Sequence, residues 1–208
     1  MKRNFITLFI VLPCFCMIFS SCFGQISRPG DINLIPMYGR VEKPIGALEA
    51  DSIFLMEMDA INPDRGVTSY DMVCYGWNYF FEGDCKMAMR RANQAWLLDS
   101  TQVEPYILFT VLLEVDQKTD EAIKMVDLTF DVIRARKSPE EPEEEYKSNG
   151  YYYENIVRNL CGSYEATRNP QLITYLYTHI NQSEDISAED KNWCINFIKQ
   201  KVPGITTE

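Results

Sequence analysis

The sequence predicts an all-α protein in which antiparallel helix hairpins stack side by side and a last helix closes the C-terminal end. Three observations carry this expectation. Tyr75-Gly76-x-x-Tyr79, with Ala88 and Ala95 behind it, recurs thirty-four residues later as Phe109-Thr110-x-x-Leu113 with Ala122 and Thr129. Apolar residues recur at helical spacing along most of the chain. Turn-forming segments such as Asn62-Pro63-Asp64-Arg65-Gly66 and Glu82-Gly83-Asp84 divide these stretches. One hairpin cannot bury its apolar face alone, so a fixed period of this length implies a stack whose inner surface is open to partners.

The first stretch stands outside this pattern. Lys2 and Arg3 precede an apolar run from Phe5 to Phe19, and Ser20 and Ser21 follow, so residues 1–21 read as an export signal. The run is shorter than the ~18 apolar residues that a membrane span needs. Two processing routes are open. Phe19-Ser20-Ser21-Cys22 resembles a loose bacterial lipobox, which makes Cys22 a lipidated first residue; Phe19 and Ser21 depart from the usual Leu and Gly or Ala. Cys22-Phe23-Gly24 alternatively suits ordinary signal peptidase and leaves Gln25 first, in soluble periplasmic form. Lipidation is the favoured route, and both place the protein outside the cytoplasm, in the cell envelope facing the periplasm or the cell surface.

Without residues 1–21, 18 Lys and Arg face 30 Asp and Glu, a formal charge of −12. That balance argues against a nucleic-acid surface and against binding to anionic lipid, leaving the membrane only an N-terminal lipid anchor. The 46% hydrophobic content supports a folded domain. Beyond Cys22 the chain holds Cys74, Cys85, Cys161 and Cys194. Cys74 and Cys85 fall about two helical turns apart, beyond the ~7 Å Cα limit for a bridge. Cys161 and Cys194 can face each other on neighbouring helices. The expectation is four buried thiols, since free Cys behaves as a small hydrophobe.

Residues 22–45 form an irregular leader with Pro29, Gly30, Pro36, Gly39 and Pro44, in which Ile32 to Tyr38 is apolar enough to pack somewhere. The helical domain spans 46–202. Ala47 to Ile61 opens it with a stripe of Phe54, Met58 and Ile61. The repeats cover 69–102 and 103–136, with Gly76 and the alanines of the second helix permitting a close crossing. Pro105 starts one helix, Asp120 and Glu121 open the next, and Arg134, Arg136 and Lys137 close it, as the helix dipole favours. Residues 138–150, with Pro139, Pro142 and five glutamates, read as a solvated acidic insertion. A degenerate hairpin follows over 151–181. Ser187-Ala188-Glu189-Asp190 resembles a capping box and starts a closing helix over 187–201.

These residues resemble the tetratricopeptide repeat, a two-helix unit of 34 residues. The first hairpin carries the resemblance through Gly76, Tyr79, Gly83, Asp84, Ala88, Ala95 and Leu98-Asp99. Met72, Ala92 and Ser100 depart from the family's Trp, bulky residue and Pro, and Thr110, Gln117 and Lys118 depart in the second. Pro36-Met37-Tyr38-Gly39, Gly76-Trp77 and the block from Ala88 to Asp99 are similar to small exported bacterial proteins of this family, over residues 35 to about 130. The resemblance implies a right-handed solenoid that binds a protein or peptide in its concave groove, without catalysis.

The leading helix of the first hairpin has a second apolar stripe, Tyr70, Val73, Trp77, Phe80 and Phe81, beside the one that packs its partner. In tetratricopeptide arrays this stripe faces the groove, so Val73, Trp77, Phe80, Phe81, Ile107 and Val111 are the candidate partner-binding residues. The stripe turns polar in the third unit through Arg158 and Glu165. The leader from Leu34 to Tyr38 is an equal candidate to fill the groove, and Asn78, Asn93 and Gln94 do not decide between them.

No catalytic, metal or cofactor site is expected. His179 lacks partners at ligand spacing, Glu57 and Asp59 point to different helix faces, and Glu140 to Glu145 lack the loop of a calcium site. Phosphate loops and nucleophile elbows are absent from the sequence. The function expected is therefore a non-enzymatic interaction module. An acidic immunity or inhibitor protein that neutralises a toxin is the first alternative, and a hydrolase hidden in the third hairpin the second.

Overall fold

A computed structural model describes residues 31–136 and 148–205, and every regular element among them is helical. Two short 3-10 turns, Ile32–Leu34 and Pro36–Arg40, lead into eight α-helices: α1 (Ile45–Ile61), α2 (Arg65–Phe81), α3 (Cys85–Leu98), α4 (Glu104–Val115), α5 (Thr119–Ala135), α6 (Asn149–Thr167), α7 (Pro170–Gln182) and α8 (Ala188–Lys201). The acidic run Glu140 to Glu145 and the lipidation candidate Cys22 lie outside the described residues.

Capping residues set the helix starts. Asp64 accepts the N–H groups of Gly66 and Val67 at 3.0 and 3.2 Å, so α2 begins at Arg65 rather than at Ser69. Asp84 holds Met87 N at 2.9 Å after the turn Glu82-Gly83-Asp84, where Gly83 takes the positive φ of 83° that the reversal requires. Ser148, Asn169 and Ser187 cap α6, α7 and α8 in the same way.

α2 packs on α3 and α4 on α5 as hairpins, and α3 joins the two by packing on α4. At the crossing of α2, α3 and α4 a side chain is missing by necessity. A Cβ on Gly76 would stand 2.6 Å from Leu108 Cδ2 and 3.5 Å from the Ala88 carbonyl oxygen. α4 is buried at every residue from Pro105 to Val115, encased by α2, α3, α5 and α6. Apart from Thr110 and Glu114 the buried residues are apolar, and each large side chain among them, Phe109 included, contributes about 1.5–3 kcal/mol.

The second hairpin is tied to the third by a buried polar node. The Glu114 carboxylate accepts the Thr119 and Thr167 hydroxyls at 3.1 and 3.4 Å, and Asn169 Nδ2 donates to Thr119 Oγ1 at 2.8 Å. α8 then folds back on α6 and α7. Arg158 lies 4.4 Å over the Trp193 ring, and Lys201 pairs with Glu165 at 3.0 Å. Arg158 and Glu165 thus meet α8, where the sequence suggested the polar end of an open stripe.

The leader packs on α3. Asn93 is fully buried there; its Nδ2 donates to the carbonyls of Asn33 and Ile35, both at 2.9 Å, and its Oδ1 accepts Tyr38 N–H at 3.3 Å. Met37, Tyr38, Gly39 and Arg40 all take positive φ, from 51° to 69°. The three that are not glycine each cost about 1–2 kcal/mol in this region. Tyr38 offsets part of this by packing against Trp96, 6.5 Å between centroids, and under Lys43 Nζ at 3.3 Å.

Candidate functional site

The predicted apolar stripe is not an open surface. Val73, Phe80, Ile107 and Val111 are buried in the core at 1–2% exposure. Trp77 is partly buried, edge-on to Phe80 at 5.6 Å and stacked on Phe81 at 6.0 Å, and Phe81 and Tyr70 are the stripe's members that reach well into solvent. The physical reason is the environment of α4, whose apolar faces are covered by α2 and α6 as well as by its own hairpin partner. The leader does not fill this place either, because Asn93 holds it on α3.

A cleft of about 710 Å³ lies at the N-terminal ends of α2, α4 and α6. Asp64, Gly66, Val67 and Tyr70 contribute its α2 side, Gln102 and Glu104 its α4 side, Tyr151 and Tyr152 its α6 side, and Arg136 follows α5. Of the second stripe read from the sequence, Tyr70 is the member that lines it. Tyr151 and Tyr152 meet edge-on at 5.4 Å, and the Arg136 guanidinium lies 4.7 Å over the Tyr152 ring.

Glu104 gives the cleft its chemistry. Its carboxylate faces Tyr152 and Arg136, and Oε2 is buried without a hydrogen-bond partner. Burial raises its pKa above the ordinary carboxylate value despite the nearby charge of Arg136. The Tyr152 phenol is pushed up to about 12 by burial and by Glu104. On α2 the exposed Cys74 thiol stands one helical turn beyond Tyr70. A second cleft of about 450 Å³ adjoins the first and shares Gln102 and Arg136 with it. Asp99 fixes Gln102 there by accepting its Nε2 at 2.8 Å.

The other candidates weighed from the sequence do not line this cleft. His179 meets Phe130 edge-on at 4.4 Å, its Nδ1 stands 3.7 Å from Asp127, and Tyr175 donates its hydroxyl to the same carboxylate. Burial lowers the pKa of His179 and favours its neutral form. Asp59 is held by Arg65 at 2.7 Å, away from Glu57. Among the described residues no three His, Cys, Asp or Glu side chains converge as metal ligands. None of the described helices is long and apolar enough to cross a membrane.

The cysteines depart from the expectation of four buried thiols. Cys85 is disulfide-bonded, and Cys74 is exposed. Cys161 and Cys194 are buried free thiols on the packed pair α6 and α8, each pushed up to about 12 by burial. Position along helix axes spoke only to a Cys74–Cys85 pair, which indeed does not form.

The sequence did not single out Glu104, Tyr151 or Tyr152, and it read Arg136 as a helix-closing charge. The run Tyr151-Tyr152-Tyr153 at a helix start was the available signal. No protein-family model, curated protein or solved structure matches the chain.

Proposed function

We propose that this chain is a non-enzymatic, tetratricopeptide-like interaction module of the bacterial cell envelope that holds an extended peptide in the cleft at the starts of α2, α4 and α6. The reading rests on the thirty-four-residue period and on the hairpins of α2 with α3 and α4 with α5, and it takes α8 as the closing helix of a right-handed solenoid. One observation carries the binding role. The cleft has tyrosine walls and a buried carboxylate oxygen without a donor, which a peptide N–H or a cationic side chain satisfies. An export signal with Cys22 as lipidated first residue places the module on the membrane; mass spectrometry of the envelope fraction distinguishes an acylated Cys22 from a free Gln25.

Selection of a phage-displayed peptide library on the full chain tests the function. Peptides enriched on the wild-type chain are expected to lose about tenfold or more in affinity on Tyr70→Ala with Tyr151→Ala, because aromatic anchors carry ~2 kcal/mol or more. The same peptides keep their affinity for Phe197→Ala, on α8. Binding that ignores the tyrosine pair overturns the reading.

A further inference from the structure

α1 is the least enclosed helix of the fold. Its apolar side chains are spread around its circumference, and not one of its residues is buried. Phe54, Leu55 and Met58 rest against the core, and α2 is its principal neighbour. On the outside, Ile45, Leu48, Ile53, Met56 and Ile61 are 76, 51, 53, 65 and 74% exposed. At 100° per residue Ile45, Leu48, Ile53 and Met56 fall on one continuous face. The other terminal helix is finished differently: α8 turns Glu189, Asn192, Asn196, Lys199 and Gln200 outward and exposes no large apolar side chain. A stacked helical array needs a polar outer face at each end to stay soluble, so the outer face of α1 is built to be covered.

Charge says by what. α1 carries Glu49, Asp51, Glu57 and Asp59 and no Lys, Arg or His. Asp51 pairs with Lys43 and Asp59 with Arg65. Glu49 and Glu57 are exposed and make no hydrogen bond or ion pair among the described residues. Glu49 lies within the apolar face and Glu57 at its edge. A second copy laid against this face would set Glu49 and Glu57 against the same acids, the nearby bases Lys43 and Arg65 being paired already with Asp51 and Asp59, and an anionic lipid surface is repelled in the same way.

We propose that the outer face of α1 is the docking site for a basic amphipathic helix of a partner protein. The partner's apolar stripe covers Ile45, Leu48, Ile53 and Met56, and its Lys or Arg residues meet Glu49 and Glu57. This is helix-on-helix recognition through anchors at helical spacing. The surface is separate from the tyrosine cleft, so the two readings stand or fall independently.

The probes are an eighteen-residue Leu–Lys amphipathic helix and its Leu–Glu twin, titrated against the full chain by fluorescence anisotropy at two salt concentrations. The Leu–Lys helix binds, and Ile53→Ser with Met56→Ser, which leaves every charge in place, weakens it by about tenfold or more. Glu49→Gln with Glu57→Gln weakens it and flattens the salt dependence, because two screened attractions are gone. Tyr151→Ala, in the cleft, leaves it unchanged. Circular dichroism verifies that each variant keeps its helices. Binding that ignores the serine pair, or equal binding of the Leu–Glu twin, overturns the proposal. So does a wild-type dimer that the serine pair dissolves, which assigns the face to a second copy, or a crosslinker at position 53 that captures residues 1–30 of the same chain.

Discussion

Asn93 accepts the main-chain N–H of Tyr38 across 55 positions of sequence, and its amide nitrogen holds the carbonyls of Asn33 and Ile35. One buried side chain thus satisfies three backbone groups of the leader. Asn93→Ala strips the Asn33 carbonyl of its partner and leaves Tyr38 N–H and the Ile35 carbonyl only their mutual 3.0 Å bond; the leader loosens from α3, at a cost of about 1–3 kcal/mol. Denaturant unfolding measures the loss, and limited proteolysis shows new cleavage before Ile45. A leader that stays protected in this variant contradicts the arrangement.

The Gly76 crossing makes a second prediction. Gly76→Ala gains up to about 1 kcal/mol of helix propensity. It also drives a methyl to 2.6 Å from Leu108 Cδ2, in a place where Leu108 is fully buried. Overpacking of this kind costs about 1–3 kcal/mol and wins. Leu108→Ala in the same chain relieves the clash, so a double-mutant cycle shows coupling between the two sites. Ala88→Leu, on the facing helix, costs a similar amount, and an unchanged melting temperature for it contradicts the crossing.

The four cysteines among the described residues should divide into three classes. Cys74 is exposed and alkylates in the native protein. Cys161 and Cys194 are buried with pKa values of about 12, so they react only after unfolding. Cys85 reacts only after reduction as well. Mass mapping of alkylated peptides under the three conditions checks each class.

The buried carboxylates set a pH dependence. Burial raises the pKa of Glu104 and Glu114 in the folded state above 4.5. A raised acid binds protons more readily when folded, so stability is gained as pH falls through the folded pKa toward 4.5 and is lost as pH rises through the same window. Glu104→Gln removes that penalty, and its stability curve is flatter than the wild type's between those limits. His179 acts in the opposite sense: with its folded pKa below 6.5, its contribution is present above 6.5 and lost as pH falls toward the folded pKa. Denaturant midpoints from pH 4.5 to 8 for the wild type, Glu104→Gln and His179→Gln separate the two.

The hairpins were legible because their signals are local. Gly76, Ala88, the turn at Gly83 and the capping residues act within one or two turns of chain, and they put α2 through α5 close to their predicted places. The candidate groove was not legible for a different reason. Val73 and Ile107 look the same in sequence whether they face a ligand or another helix, and only the placement of α4 between α2 and α6 decides it. Glu104 followed the same rule in reverse. At a helix start it reads as a dipole complement, and its buried oxygen appears only once Tyr152 of α6 is brought against it.

The left-handed run Met37-Tyr38-Gly39-Arg40 makes the leader a latch under tension. Its backbone cost opposes the hydrogen bonds from Asn93 and the burial of Leu34, Met37 and Tyr38, so the closed latch is held less firmly than the hairpins. The leader is then the first segment to let go on warming or in mild denaturant, ahead of the hairpins, and amide exchange at Ile35 and Tyr38 registers that opening while Leu112 and Phe130 stay protected.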